Sequence, residues 1–263
     1  MTNPQHKLIF LGTGTILPHP ERGQAGFLLE SQGERFLFDC GSGTETRLAR
    51  AGIDPTSIDH IILSHHHIDH DSGVMPLIKG LWLAGKKKVT IHGPAGTTEW
   101  WLKLLEVWPY MKDKIEVVVE ELEPGRQCAI SQLFVTPEEM LHSIPALGYR
   151  VDFPEGGSLV YSGDTEPCEG LRQLLAGGAK VLVMECALPE SLEVTNHTTP
   201  ATLARFLESM AALWSCGASL KTLILTHFYP QNLGREQEIR AILEGAAPEV
   251  ELVFASDGME FKF

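Results

Sequence analysis

Short runs rich in Val, Ile, Leu and Phe recur along the 263 residues, from KLIFLG at 7–12 to ELVFASDG at 251–258. Each is bounded by Gly, Pro, Asp or Ser, as strands are. Amphipathic segments lie between them, with helices expected near 44–51, 72–84, 96–108, 168–177 and 235–245. In TTPATLARFLESMAALW, Leu203, Phe206, Leu207, Met210 and Trp214 follow the helical period. Thr199 reads as the N-cap and Pro200 as the first helical residue. This alternation restricts the chain to the α/β class. Strands precede helices in both halves, which predicts two sheets packed face to face and covered by helices. No Ser/Pro/Gly-rich linker divides the sequence, so a single domain over 1–263 is expected.

Composition excludes several functions. There are 34 acidic and 21 basic residues, a formal charge of −13, which disfavours a broad surface for polyanions. The five cysteines, Cys40, Cys128, Cys168, Cys186 and Cys216, form no CxxC pair. Neither a zinc knuckle nor a thioredoxin motif is present, and the odd count fits reduced thiols in a cytoplasm. The start, MTNPQHKLIFLGTG, lacks the pattern of a signal peptide. No apolar run approaches the ~18 residues a transmembrane helix needs.

Several strand candidates end near a residue able to bind metal. RFLFDC runs to Asp39, HIILSH to His65, SLVYSGD to Asp164 and TLILTH to His227, while His142 follows FVTPEEML. The densest stretch is SHHHIDHD at 64–71. His65 and His67 are two apart and point to one side of an extended segment, leaving His66 on the other. Asp69 and His70 follow at the start of the next helix and can reach a second ion. Histidine and aspartate suit zinc, manganese or iron better than calcium. A carboxylate such as Asp164 can bridge two cations. The competing reading, a solvated His-rich turn, loses ground because partner motifs stand elsewhere in the chain.

The spacing His65-x-His67-x-Asp69-His70 resembles the signature of the metallo-β-lactamase superfamily. FLFDCG at 36–41, YSGDT at 161–165, LTHFYP at 225–230 and FASDGMEF at 254–261 resemble its further motifs in the same order. LHSIPALGYR at 141–150, MECAL with NHTTP, and FLGTGTILPHPERG are similar to elements of its ribonuclease Z-like phosphodiesterases. The resemblance implies an αββα sandwich with two divalent ions, zinc first, manganese or iron as alternatives. One ion is then held by His65, His67, His142 and Asp164. The other is held by Asp69, His70, Asp164 and His227. Asp39 is expected to orient a ligand histidine. Asp69, His197 and Glu185 are the expected catalytic residues, with His197 protonating the leaving oxygen and Glu185 positioning it. Taken alone, His197 and Glu185 equally suit a buried structural pair. His6, His19, His60, His66 and His92 are expected to bind no metal.

The substrate is less constrained. Ribonuclease Z usually carries a tRNA-binding arm between its motif His and its bridging Asp. Here only 21 residues separate His142 from Asp164, enough for one strand, a turn and another strand. A small or cyclic phosphodiester or an RNA end is therefore expected over extended tRNA binding. Ribonuclease Z-type tRNA 3′ processing is the alternative. Further alternatives are a lactone, thioester or sulfate-ester hydrolase and a non-catalytic, metal-stabilised binding protein. Four of the five tryptophans lie in WLAG and WWLKLLEVWPY. Most of that surface is expected in the core, and the rest offers a homodimer patch.

Overall fold

The computed structural model describes residues 6–189, 195–211, 214 and 219–263. The chain divides into two compact units, Met1–Leu122 with Ser256–Phe263, and Glu123–Ala255. Each unit is built on one seven-stranded mixed sheet.

The strands of unit 1 are β1 (His6–Gly12), β2 (Gly26–Ser31), β3 (Glu34–Phe38), β4 (Ile58–Ile62), β5 (Lys88–Gly93) and β6 (Glu116–Glu121). A strand from the far end of the sequence, β14 (Glu260–Lys262), completes the sheet in the order β14-β1-β2-β3-β4-β5-β6. Pairing is antiparallel from β14 to β3 and parallel from β3 to β6. Residues two apart share a face. Ile9 and Leu11, and Val89 and Ile91, therefore meet Leu48 of α1 (Thr44–Arg50), Leu77, Ile78 and Leu81 of α3 (Val74–Leu83), and Trp101 of α4 (Thr97–Val107) in one core. Burying each such side chain stabilises by about 1.5–3 kcal/mol. Trp101 is buried and Trp82 and Trp100 pack partly on this core, whereas Trp108 is 37% exposed. The helix expected over 72–84 is preceded by a separate turn of helix, α2 (Ile68–Asp71), with Ser72 and Gly73 between.

Unit 2 contains β7 (Cys128–Ile130), β8 (Leu133–Glu139), β9 (Leu147–Asp152), β10 (Ser158–Tyr161), β11 (Ala179–Glu185), β12 (Leu220–Thr226) and β13 (Glu251–Phe254). Their order is β13-β12-β11-β10-β9-β8-β7. From β10 to β13 the strands are parallel, so their C-terminal ends lie at one end of the sheet. Leu182, Met184, Leu223 and Leu225 pack against α5 (Glu169–Leu175), α6 (Pro200–Ala211) and α7 (Glu236–Ala246) through Leu174, Phe206, Leu207 and Leu243. α6 begins where the Thr-Pro pair places it. Thr202 N–H donates to Thr199 Oγ1 at 3.3 Å, and Thr199 N–H donates to Thr202 Oγ1 at 2.9 Å, a reciprocal cap.

Cys40, Cys128, Cys168 and Cys186 are free thiols, and Cys216 lies outside the described residues. Among the described residues no helix is long and apolar enough to cross a membrane.

Candidate metal-binding residues

In unit 1, β4 stops at Ile62 and the chain runs extended through His65–His67 into α2. His65 and His67 therefore project to one side, with ring centroids 4.7 Å apart. α2 turns Asp69 and His70 inward, both buried, and the His70 ring lies 4.1 Å from that of His65. His66 faces elsewhere. Its Nδ1 is 3.2 Å from Asp71 Oδ2, its Nε2 is 2.9 Å from Thr97 Oγ1, and its ring stacks on Trp100.

Asp39 fixes this loop from beneath. It follows β3 with φ 53, a left-handed conformation a non-glycine residue seldom adopts. Its fully buried carboxylate accepts from Ser64 N–H at 2.7 Å, from Ser64 Oγ–H at 2.8 Å and from His70 Nδ1 at 2.7 Å. Because Ser64 donates its hydroxyl proton to Asp39, its oxygen accepts from His65 Nδ1 at 2.9 Å. Both imidazoles are thereby set to present Nε2 as the lone-pair nitrogen, as metal-binding histidines are.

Unit 2 gathers a second set at the C-terminal ends of its parallel strands, where α/β sheets commonly bind ligands. Asp164 follows β10, Glu185 ends β11 and His227 follows β12. His227 is also left-handed, with φ 59. Its Nε2 lies 3.1 Å from Asp164 Oδ2. His142 follows β8, and its Nδ1 donates to the Asn196 carbonyl at 2.9 Å, which again leaves Nε2 as the lone-pair atom. The His197 ring stands 5.2 Å from that of His142 and 6.2 Å from that of His227.

Glu185 is fully buried and heavily used. Oε1 accepts from Thr165 N–H at 2.8 Å and pairs with His197 Nδ1 at 3.0 Å, while Oε2 accepts from Ala187 N–H at 3.2 Å. Burial raises its pKa, and the adjacent His197 opposes that shift. Asp164, Glu185 and His197 offer nitrogen and oxygen atoms close enough together to share a cation or a proton.

Each unit thus presents buried or half-buried imidazoles beside buried carboxylates, a donor set suited to zinc, manganese or iron. Three contributors escaped sequence reasoning: Ser64, Thr165 and Asn196. Ser64 directly precedes the histidine run, a usable signal. Asn196 has φ 75, and asparagine tolerates that conformation better than most residues. Nothing local marks Thr165 apart from the Asp164 beside it. Among the histidines expected to bind no metal, His92 and His60 form a pair, with His60 Nδ1 3.1 Å from His92 Nε2.

Known proteins resemble this chain. A family profile described as a beta-lactamase superfamily domain matches residues 34–228. A ribonuclease Z of Methanosarcina acetivorans is 27% identical over 310 residues, covering 97% of this chain and 97% of that protein. Among solved structures, the metallo-beta-lactamase fold protein YhfI from Bacillus subtilis superposes with a TM-score of 0.82 at 20% identity, covering 98% of this chain and 99% of that one. Human tRNase Z, short form, superposes with a TM-score of 0.76 at 25% identity, covering 97% and 98%.

Proposed function

Since the chain belongs to the metallo-β-lactamase superfamily, in its ribonuclease Z-like group, we propose that it is a phosphodiester hydrolase using two divalent cations, zinc first among them. One is assigned to His65, His67, His142 and Asp164, the other to Asp69, His70, Asp164 and His227. The observation that carries this reading is the anchoring of His65, His70 and His142 through Nδ1, which points each Nε2 away from its anchor.

Bound divalent ions supply Lewis acidity and lower the pKa of water toward neutrality. Asp69 is assigned the orientation of the attacking water and the acceptance of its proton. His197 is assigned protonation of the leaving oxygen through Nε2, because its Nδ1 is committed to Glu185. The buried Glu185 carboxylate holds the ring in place and stabilises its charged form while the proton is in transit.

A small or cyclic phosphodiester, or an RNA end, fits best. The segment between His142 and Asp164 is the β9–β10 hairpin, paired Ser158 to Asp152 through Tyr161 to Tyr149. The overall charge of −13 adds to this preference. The second reading is tRNA 3′ processing of the ribonuclease Z type, favoured by the full-length match to a protein of that name.

Metal-loaded protein is to be assayed on bis(p-nitrophenyl) phosphate and on precursor tRNA, with Asp69→Ala as the blank. Turnover of the small diester is expected to disappear with a chelator and return with metal. His197→Ala is expected to lower it about 10²-fold or more, a general-acid effect, with metal content unchanged. Metal-loaded protein inert on every diester overturns the assignment; loss of metal from His197→Ala overturns the role of His197.

A further inference from the structure

The parallel strands of unit 2 have a second end. At the N-terminal ends of β10, β11 and β12 lies a cavity of about 300 Å³ lined by Arg150, Lys180 and Lys221. Among the described residues Asp152 is the sole carboxylate in its wall, and its Oδ1 is taken by Arg150 Nε at 2.9 Å. Three cations against one carboxylate is the reverse of the whole-chain balance of 34 acidic and 21 basic residues.

The three cations share the lining of this one cavity. Arg150 Nη1 donates to the carbonyls of Leu174 at 2.8 Å and Gly178 at 2.7 Å, so the guanidinium is held rigidly. Among the described residues its Nη2, which lies beside Gly177 in the cavity wall, makes no hydrogen bond. Ala179 pairs with Leu220 and Val181 with Thr222, so Lys180 and Lys221 are neighbours on adjacent strands. Neither lysine has a carboxylate within ion-pair distance among the described residues. The Lys180 stem crosses Gly157, where a Cβ would come within 2.3 Å of its Cε. A glycine at that turn is what lets the lysine lie over the cavity.

Like charges side by side on neighbouring strands repel, and an anion bound between them relieves that repulsion. A fixed guanidinium offering Nη2, beside two ammonium groups, matches an oxyanion. We propose that this cavity binds the phosphate group of a small anion, either free phosphate or a phosphate monoester. β11 separates it from Glu185 by roughly 20 Å at the usual rise per residue. It is therefore a site apart from the residues of unit 2 assigned to metal, and it stands whether or not the hydrolase reading does.

The test is an NMR titration of the metal-loaded protein with inorganic phosphate and, separately, with ribose 5-phosphate, following the backbone amides of Gly157, Gly177 and Gly178. Saturable shifts at these glycines are expected with at least one ligand, and the tighter ligand separates free phosphate from a monoester. They are expected to survive addition of a chelator, whereas phosphate bound at the metal residues would be lost with the metal. K180A/K221A is expected to weaken binding about tenfold or more, and K180R/K221R to retain it. Both lysines are exposed, so neither change threatens the fold. Absent shifts, shifts of equal affinity in K180A/K221A, or shifts abolished by the chelator each overturn the proposal.

Discussion

Asp39 spends both carboxylate oxygens on Ser64 and His70 while occupying a left-handed conformation. Replacing it with alanine leaves the buried Ser64 N–H and His70 Nδ1 without their acceptor. Metal affinity is expected to fall about 10–100-fold, read by competition with a chelating dye; unchanged affinity would show that Asp39 serves the loop alone. His92 makes a different prediction. It is 2% exposed, and burial, with help from His60, pushes its pKa down to about 3. The folded protein therefore keeps the ring neutral, while the unfolded chain protonates it below about 6.5. The stability it contributes is present above pH 6.5 and is lost as pH falls toward 3, by at most about 1.4 kcal/mol per pH unit. Urea midpoints between pH 7 and pH 5 are expected to slope less in His92→Gln than in the parent; an equal slope assigns the acid sensitivity to other groups.

At the scale of elements, the loop after β3 and the loop through α2 lock together backbone to backbone. Cys40 N–H donates to the His70 carbonyl at 2.7 Å, and Gly73 N–H donates to the Cys40 carbonyl at 2.8 Å. A Cβ on Gly41 would sit 2.3 Å from the Asp69 carbonyl oxygen, so only glycine fits. Gly41→Ala is expected to cost about 1–3 kcal/mol through overpacking and to shift Asp69. Thermal unfolding and metal titration report the two effects separately, and a variant unchanged in both would show that the loops part without cost. The same contact explains where sequence reading fell short. Apolar runs such as KLIFLG and TLILTH were legible as strands because their side chains meet a helix layer. The break between α2 and α3 was not, because Gly73 is held against Gly41 from a distant part of the chain. β7 and β14, three residues each, carry too little pattern to be seen alone. The crowding of histidine and aspartate at 65–70 was legible from spacing. That Asp39, Asn196 and His227 all adopt positive φ was not, since tertiary contacts fix those angles.

Unit 1 is discontinuous, and residues 256–263 fold with the first strand rather than with their sequence neighbours. Asp257 ties the ends together. Its Oδ1 accepts from Thr13 N–H at 2.9 Å and Thr13 Oγ1–H at 2.8 Å, and its Oδ2 accepts from Gly23 N–H at 2.7 Å and Arg47 Nε at 3.1 Å. Asp257→Ala is expected to destabilise the protein by about 2–4 kcal/mol, measured by denaturant unfolding; a loss under half a kcal/mol would mean that water replaces the carboxylate freely. β14 pairs with β1 along Lys7 to Lys262 and Ile9 to Glu260. A nascent polypeptide emerging from the ribosome therefore makes β1 well before its outer neighbour. Throughout that interval the β1 backbone offers an open row of donors and acceptors to any passing strand. Chaperone demand during translation should accordingly persist until β14 docks and then fall away.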